Sequence, residues 1–325
     1  MSEGRSENRL AVFLRNWMLP IALALGISLY IVYRFVPALH PHGHILQGIA
    51  SEGQRFLVSM MLFFQFIKVS PRDLKPRRWH FGAIVFQIGG FALMTALAAL
   101  SKGETARILA ECAMLCIICP TASAAGVITD RLGGDLAGNV TYLIMANAAA
   151  TLLIPMIIPL VNPSATLGFW AYVLRLAWKI FPILILPCLL AWLIRHLTPG
   201  LHRIMTLWAP ASFYLWGLSL TMGMTLATRA LAISRLGGWT IAGIVTVSLT
   251  AATVQFWTGR RLGRSGKDGS RKNSITAGQA LGQKNNGFLI WLGYNYLTPV
   301  TSVAGGLYAI WQNLFNSWEL RHIRK

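Results

Sequence analysis

Charge is what this sequence is short of. Only 12% of its 325 residues are Asp, Glu, Lys or Arg, about half the share found in soluble domains, while 55% are hydrophobic and the mean hydropathy is +0.55. That balance excludes an ordinary soluble domain and points to an integral membrane protein. The few charges are one-sided, with 29 Lys and Arg against 10 Asp and Glu and a net charge of +19. In a soluble chain this excess would suggest nucleic acid. Here the basic residues sit in short connections between apolar runs, where they act as topology signals, so no nucleic-acid partner is expected. Cysteine is also scarce: Cys112, Cys116, Cys119 and Cys188 all lie within apolar runs, which excludes an extracellular disulfide framework. The first three share a helical face and, without a companion His, read as packing rather than a metal cluster. HExxH, GxSxG and paired intramembrane carboxylates are all missing, so no enzyme and no cofactor is expected.

What the chain has is apolar length. A bilayer core of about 30 Å takes roughly 20 helical residues, and the sequence divides into ten candidate spans: 16–35, 47–69, 80–100, 105–129, 135–161, 168–197, 204–233, 238–259, 274–297 and 298–318. No segment outside them is long enough for a soluble domain. The first follows Arg5, Arg9 and Arg15 but runs on to Tyr33-Arg34-Phe35, so it reads as a retained helix and not a signal peptide. Alternate connections gather the positive charge: the N-terminus, 68–78, Arg131, Arg195 with Arg203, the 260–272 loop including Lys267, and Arg321, Arg324 and Lys325. The other side receives the thinner set Arg34, Arg55, Lys102, Arg107, Arg229 and Arg235. The bias places both termini in the cytoplasm and the protein in the cytoplasmic membrane.

Two spans break the helix rule at corresponding places, the fourth of the first five and the fourth of the second five. Span four reads CAMLCIICPTASAAGVITD, where Pro120 removes a backbone donor. Span nine reads AGQALGQKNNGF, where Gly278, Gly282 and Gly287 loosen a helix centred on Gln283-Lys284-Asn285-Asn286. Within a bilayer, irregular backbone is tolerated only when buried in protein or lining a watery cavity. Interruptions at matching positions of two halves point to a secondary transporter built from inverted repeats. The expected fold is therefore an all-α membrane protein of ten transmembrane helices in two inverted five-helix repeats, residues 1–162 and 163–325.

At Cys119-Pro120-Thr121-Ala122-Ser123, in the continuation GGDLAGNVTYLIMANAAATLLIPMIIPLV, and in LGQKNNG and LYAIWQN, the sequence resembles the bile acid:sodium symporter family, including its bacterial members. The resemblance implies a panel domain against a core domain, with broken helices crossing at the binding site. It also implies sodium sites, and there the sequence departs from the pattern. The expected Ser-Asn pair falls on Ala125 and Gly126, the expected span-nine acid falls near Ala280, or on Gln279 if the alignment slips by one, and the expected Gln falls on Lys284. Gln87 alone keeps its role. Hard cations want several oxygens, ideally with a carboxylate, so conventional two-sodium coupling is not expected.

Lys284 is instead expected to stand where relatives hold a sodium ion, with Gln87, Gln283, Asn285 and carbonyls freed by the breaks as candidate partners. A lysine in a membrane interior costs about 2.5–3.5 kcal/mol on insertion scales and should face the bundle. Its loss and recovery of a proton would give proton-linked transport; an uncoupled transporter and a permanently charged lysine that only cements the fold are the other readings. Half-helix N-termini after both breaks suit a carboxylate, so the expected substrate is a small organic anion. Thr121, Ser123, Thr129, Asn139, Thr141, Asn147 and Asn286 are candidate lining residues or plain interhelical bonders. Glu111 reads either as a proton carrier or as a partner of Arg107, and HPHGH at 40–44 as a solvated loop. The basic loop 259–273 is expected to meet anionic lipid headgroups. A non-transporting sensor or binding protein of the same fold is the alternative.

Overall fold

The computed structural model describes residues 9–234, 236–265 and 269–323. Of the positive residues counted above, Arg5, Arg235, Lys267, Arg324 and Lys325, and the side chains of Arg9 and Arg15, lie outside the described residues. The chain is helical throughout: α1 Arg9–Phe35, α2 Gly43–Phe66, α3 Arg78–Leu100, α4 Glu104–Ile118, α5 Ala125–Arg131, α6 Leu136–Val161 and α7 Phe169–Leu184. These are followed by α8 Leu186–Leu197, α9 Pro199–Trp208, α10 Ser212–Ile233, α11 Gly238–Arg264, α12 Arg271–Gly282, α13 Asn286–Tyr296 and α14 Ser302–Ile323. No strand occurs among the described residues; the sole extended pairing is one antiparallel bridge between Thr121 and Lys284.

Among the described residues, four helices are long and apolar enough to cross a membrane: α1 from Trp17, α3, α6 and α11. The pair α7 and α8, bent by 42°, makes a fifth if taken as one span. Proline explains that bend. Pro187 occupies the first turn of α8, where its missing N–H costs nothing, and it cannot continue α7. The segment 204–233, expected as one span, is likewise divided: α9 ends at Trp208 and a short turn through Pro210 precedes α10. At about 1.5 Å per residue, α4 with 15 residues, α12 with 12 and α13 with 11 are each too short to cross alone.

Burial separates two kinds of helix. Outward faces of α1, α3, α6, α7 and α8 leave Leu25, Leu29, Val85, Leu152, Leu174 and Leu193 exposed, an apolar surface that only lipid would cover. Every residue from Asn273 to Tyr294 is buried, although this is the most polar of the expected spans. It is surrounded rather than membrane-facing. α12 lies against α11, α5, α6 and α3, while α13 lies against α14, α10, α2 and α4. Ion pairs finish the arrangement at its margins, with Arg77 bound to Asp135 at 2.6 Å and to Asn273, so the starts of α3, α6 and α12 are tied together.

The close approach of α11 to α12 depends on missing side chains. A Cβ on Gly259 would collide with the Ala277 carbonyl, and one on Gly263 with the Asn273 carbonyl, both backbone atoms that cannot swing aside. Gly89 of α3 faces open space. Replacing Gly259 with Ala is expected to lower thermal stability in detergent by about 1–3 kcal/mol through overpacking. Gly89→Ala should leave stability unchanged or raised, by up to about 1 kcal/mol from helix propensity. Equal midpoints for the two variants would contradict this packing.

Candidate functional site

The two breaks meet. α4 stops at Ile118 because the residue before a proline is held out of the α region, and Cys119 is indeed extended, with φ −52° and ψ 130°. α12 stops at Gly282, and Gln283 is extended with φ −87° and ψ 126°. Two extended segments in an apolar interior have unspent backbone groups and pair with each other. The Ala122 amide donates to the Gln283 carbonyl at 3.1 Å, and the Asn285 amide donates to the Pro120 carbonyl at 2.9 Å.

The remaining carbonyls find side chains, one by one. At the end of α4, Cys116 O accepts from Gln255 Nε2 at 3.1 Å, Ile117 O from the Lys284 ammonium at 3.1 Å, and Ile118 O from Gln87 Nε2 at 2.7 Å. Gln87 is aimed by the Tyr142 hydroxyl, which donates to its Oε1 at 2.7 Å. At the end of α12, Ala280 O accepts from the Thr121 hydroxyl and Gly282 O from the Tyr308 hydroxyl, both at 2.7 Å. The Lys284 amide donates to Gln312 Oε1 at 2.9 Å, and the Cys119 thiol to Asn285 O at 3.1 Å. Lys284 itself is wholly buried, and among the described residues no carboxylate pairs with it. Its ammonium faces a helix C-terminus, where the peptide dipoles present partial negative charge.

Several expectations change here. Of the partners expected for the Lys284 side chain, the freed carbonyl is the one it reaches. Gln87 serves Ile118 and Cys119 instead, because an amide donor can close the helix end directly. Gln283 bonds the Gln279 carboxamide one turn back, and Asn285 turns forward to cap α13, accepting from the Phe288 amide. Ala125 and Gly126 lie buried in α5 without a side-chain oxygen to offer. Ala125, Gly126 and Ala280 offer no side-chain oxygen to a cation, Gln279 is engaged with Glu319 and Gln283, and the Lys284 ammonium already meets the Ile117 carbonyl.

The candidate lining residues divide as well. Thr121, Gln283, Lys284 and Asn285 come together at the paired breaks. Thr129 and Asn139 join α5 to α6 through a 3.0 Å bond from the Asn139 amide. Thr141 and Asn147 bond only the preceding turn of α6, and Ser123 is half-buried. Asn286 is buried with neither carboxamide atom partnered. The helix after Pro120 is only seven residues long, so a half-helix dipole comparable to that of α13 does not form there. Glu111 pairs with Arg107 at 2.9 Å and accepts from the Thr298 amide at 3.0 Å, tying α4 to the turn before α14.

Sequence reasoning missed Gln255, Tyr308 and Gln312, which close the breaks, and Gln54 and Ser219, which are buried with no partner. The last two share a neighbourhood with Asn286. A Cβ on Gly287 would lie 2.7 Å from Ser219 Oγ, and one on Gly223 would overlap the Gln54 carboxamide. The available signal was chemical: a carboxamide within an apolar run, as in TVQFW or AIWQN, is rare unless bonded. Among the described residues no group of three His, Cys, Asp or Glu is arranged to hold a metal.

Comparison with known proteins finds no family model matching the chain and no matching curated protein. The fold defines the class, a membrane-embedded all-α protein. For the site, Gln87→Leu is expected to cost about 1–3 kcal/mol by leaving buried carbonyls unpaired. Tyr142→Phe should add little once Gln87 is gone, and additive losses in thermal unfolding of the double variant would contradict the bond between them.

Proposed function

We propose that this protein is a secondary active transporter of a small organic anion, working by alternating access across the cytoplasmic membrane. In this reading the helices form ten spans in two inverted five-helix repeats. α4 with α5 makes one broken span, α12 with α13 the other, α7 with α8 one bent span, and both termini face the cytoplasm. The observation that supports it most is the antiparallel pairing of the two breaks about Lys284. Broken helices meeting at depth are costly to build, and in transporters they frame the substrate. The resemblance to the bile acid:sodium symporter family points the same way.

The ammonium of Lys284 takes the position of a coupling cation. Its bond to Ile117 O lets it neutralise a helix end that an ion would otherwise have to neutralise. Sodium is therefore not the coupling ion in this reading, and a proton is. The substrate anion meets the start of α13, where the amides of Asn286 and Gly287 precede the first intrahelical bond and add to the positive end of the dipole. Gln54, Ser219 and Asn286, whose buried side chains keep unpartnered polar atoms, orient the rest of the molecule. Membrane lipids are the other partner in this reading.

Proteoliposomes with sodium and pH gradients set independently test the reading on a panel of carboxylates. Uptake by the natural protein is expected to follow the pH gradient and ignore sodium. Lys284→Gln should abolish the pH response while the protein still folds. Uptake with pH and sodium responses identical to the natural protein's would refute the role of Lys284. Saturable stabilisation by an anion without flux would refute transport and favour a sensor of the same fold.

A further inference from the structure

One strongly basic hollow lies apart from the paired breaks. A cavity of about 240 Å³ opens between the end of α11, the start of α12 and the end of α14, lined by Arg260, Arg264, Arg271, Trp318, Glu319 and His322 among others. Its floor is the carboxylate of Glu319, nearly fully buried and satisfied from two sides. Arg260 pairs with Oε1, and Gln279 donates to Oε2 at 2.7 Å. Arg264 and Arg271 are exposed and, among the described residues, have no carboxylate partner. Among the described lining residues, the positive charge of two guanidiniums therefore remains after Glu319 has been neutralised.

The start of α12 and the aromatic surroundings suit the same sign of ligand, and the arginines outweigh the partial negative charge at the ends of α11 and α14. α12 begins at the rim, capped by Ser270, which accepts from the Asn273 amide at 3.0 Å. The amides of Arg271 and Lys272 precede the first intrahelical bond, from Ser274 to Ser270, so the positive end of a twelve-residue helix faces the arginines. Trp318 at the wall is 57% exposed, and Arg261 lies over the Trp257 ring at 5.4 Å. Exposed tryptophans with arginines are the composition of a membrane–water boundary, the depth at which headgroup phosphates reside.

We propose that this cavity binds a phosphoryl group, held by Arg264 and Arg271 in the forked geometry that guanidinium gives to phosphate oxygens. An anionic lipid headgroup and free phosphate present the same oxygens and are the two sources. Arg260 links the site to the breaks. A phosphoryl group at the cavity competes with Glu319 for Arg260, and Glu319 holds Gln279, which holds Gln283 beside Lys284. The proposal does not depend on what, if anything, the protein transports.

The test uses the full-length protein in phosphatidylcholine nanodiscs and follows its unfolding temperature in two arms. One adds inorganic phosphate against chloride at equal ionic strength; the other incorporates phosphatidylglycerol, with native mass spectrometry counting retained lipid. A stabilising shift is expected in at least one arm, by phosphate if the source is free anion and by phosphatidylglycerol alone if it is lipid. The pair Arg264→Gln and Arg271→Gln should weaken the response at least tenfold relative to its own baseline. The pair Arg131→Gln and Arg203→Gln, also exposed, should leave it intact. No shift in either arm, or an equal loss from both pairs, would overturn the proposal.

Discussion

Everything near the centre of this molecule follows from one constraint: a helix that stops inside an apolar interior must find partners for the backbone groups it releases. Two helices stop, and they stop opposite each other. The pairing of 120–122 with 283–285 satisfies the groups that face one another, but each helix end also has carbonyls directed elsewhere. Those are met by α3 through Gln87, α11 through Gln255 and α14 through Tyr308, while Gln312 of α14 accepts from the Lys284 amide. Three helices are thereby registered to one point by polar bonds, within a bundle whose core is otherwise largely apolar. The glycines of α11 serve the same end, since α12 can reach α4 only if it is allowed to lie closely on its neighbour.

Lys284 belongs to this scheme as a donor that is also a charge. A bound cation at a helix end is present only as far as its concentration allows, because occupancy follows mass action. A side chain has no such dependence. What it loses is the ability to leave, so any change at this point has to come from movement of α12 and α13 or from the proton. The surroundings are consistent with that role, since the nearest described groups are carbonyls and thiols, not carboxylates that would hold the ammonium permanently in an ion pair.

Much of this was legible in the sequence, and the parts that were not have a common cause. Pro120 and the run Gly282 to Gly287 mark where the helices stop because proline and glycine act locally, through a missing N–H and a missing Cβ. The burial of Lys284 was readable for a related reason, as a cation in an apolar run has nowhere else to go. Its partner was harder to name. Gln283 and Asn285 were natural candidates by proximity in the chain, yet proximity along a strand directs side chains away from one another, and Gln283 ends on Gln279 while Asn285 caps α13. Gln255, Tyr308 and Gln312 act across the fold, and no local pattern relates them to the breaks. The division of 168–197 and 204–233 was hidden by the opposite problem. Pro187 and Pro210 were visible, but nothing in an apolar run distinguishes a proline that ends a helix from one that begins the next.

The order of the chain gives the paired breaks a history. α4 and its freed carbonyls emerge from the ribosome long before α12, and of the groups that will satisfy them only Gln87 has already been made. Cys116 O waits for α11, Ile117 O for residue 284, and the closing bonds from Tyr308 and Gln312 for the last helix of all. Until the final quarter of the polypeptide is made, the end of α4 therefore lacks most of the partners it has in the finished fold. A chain cut short before α12 would leave α4 without the backbone it pairs with.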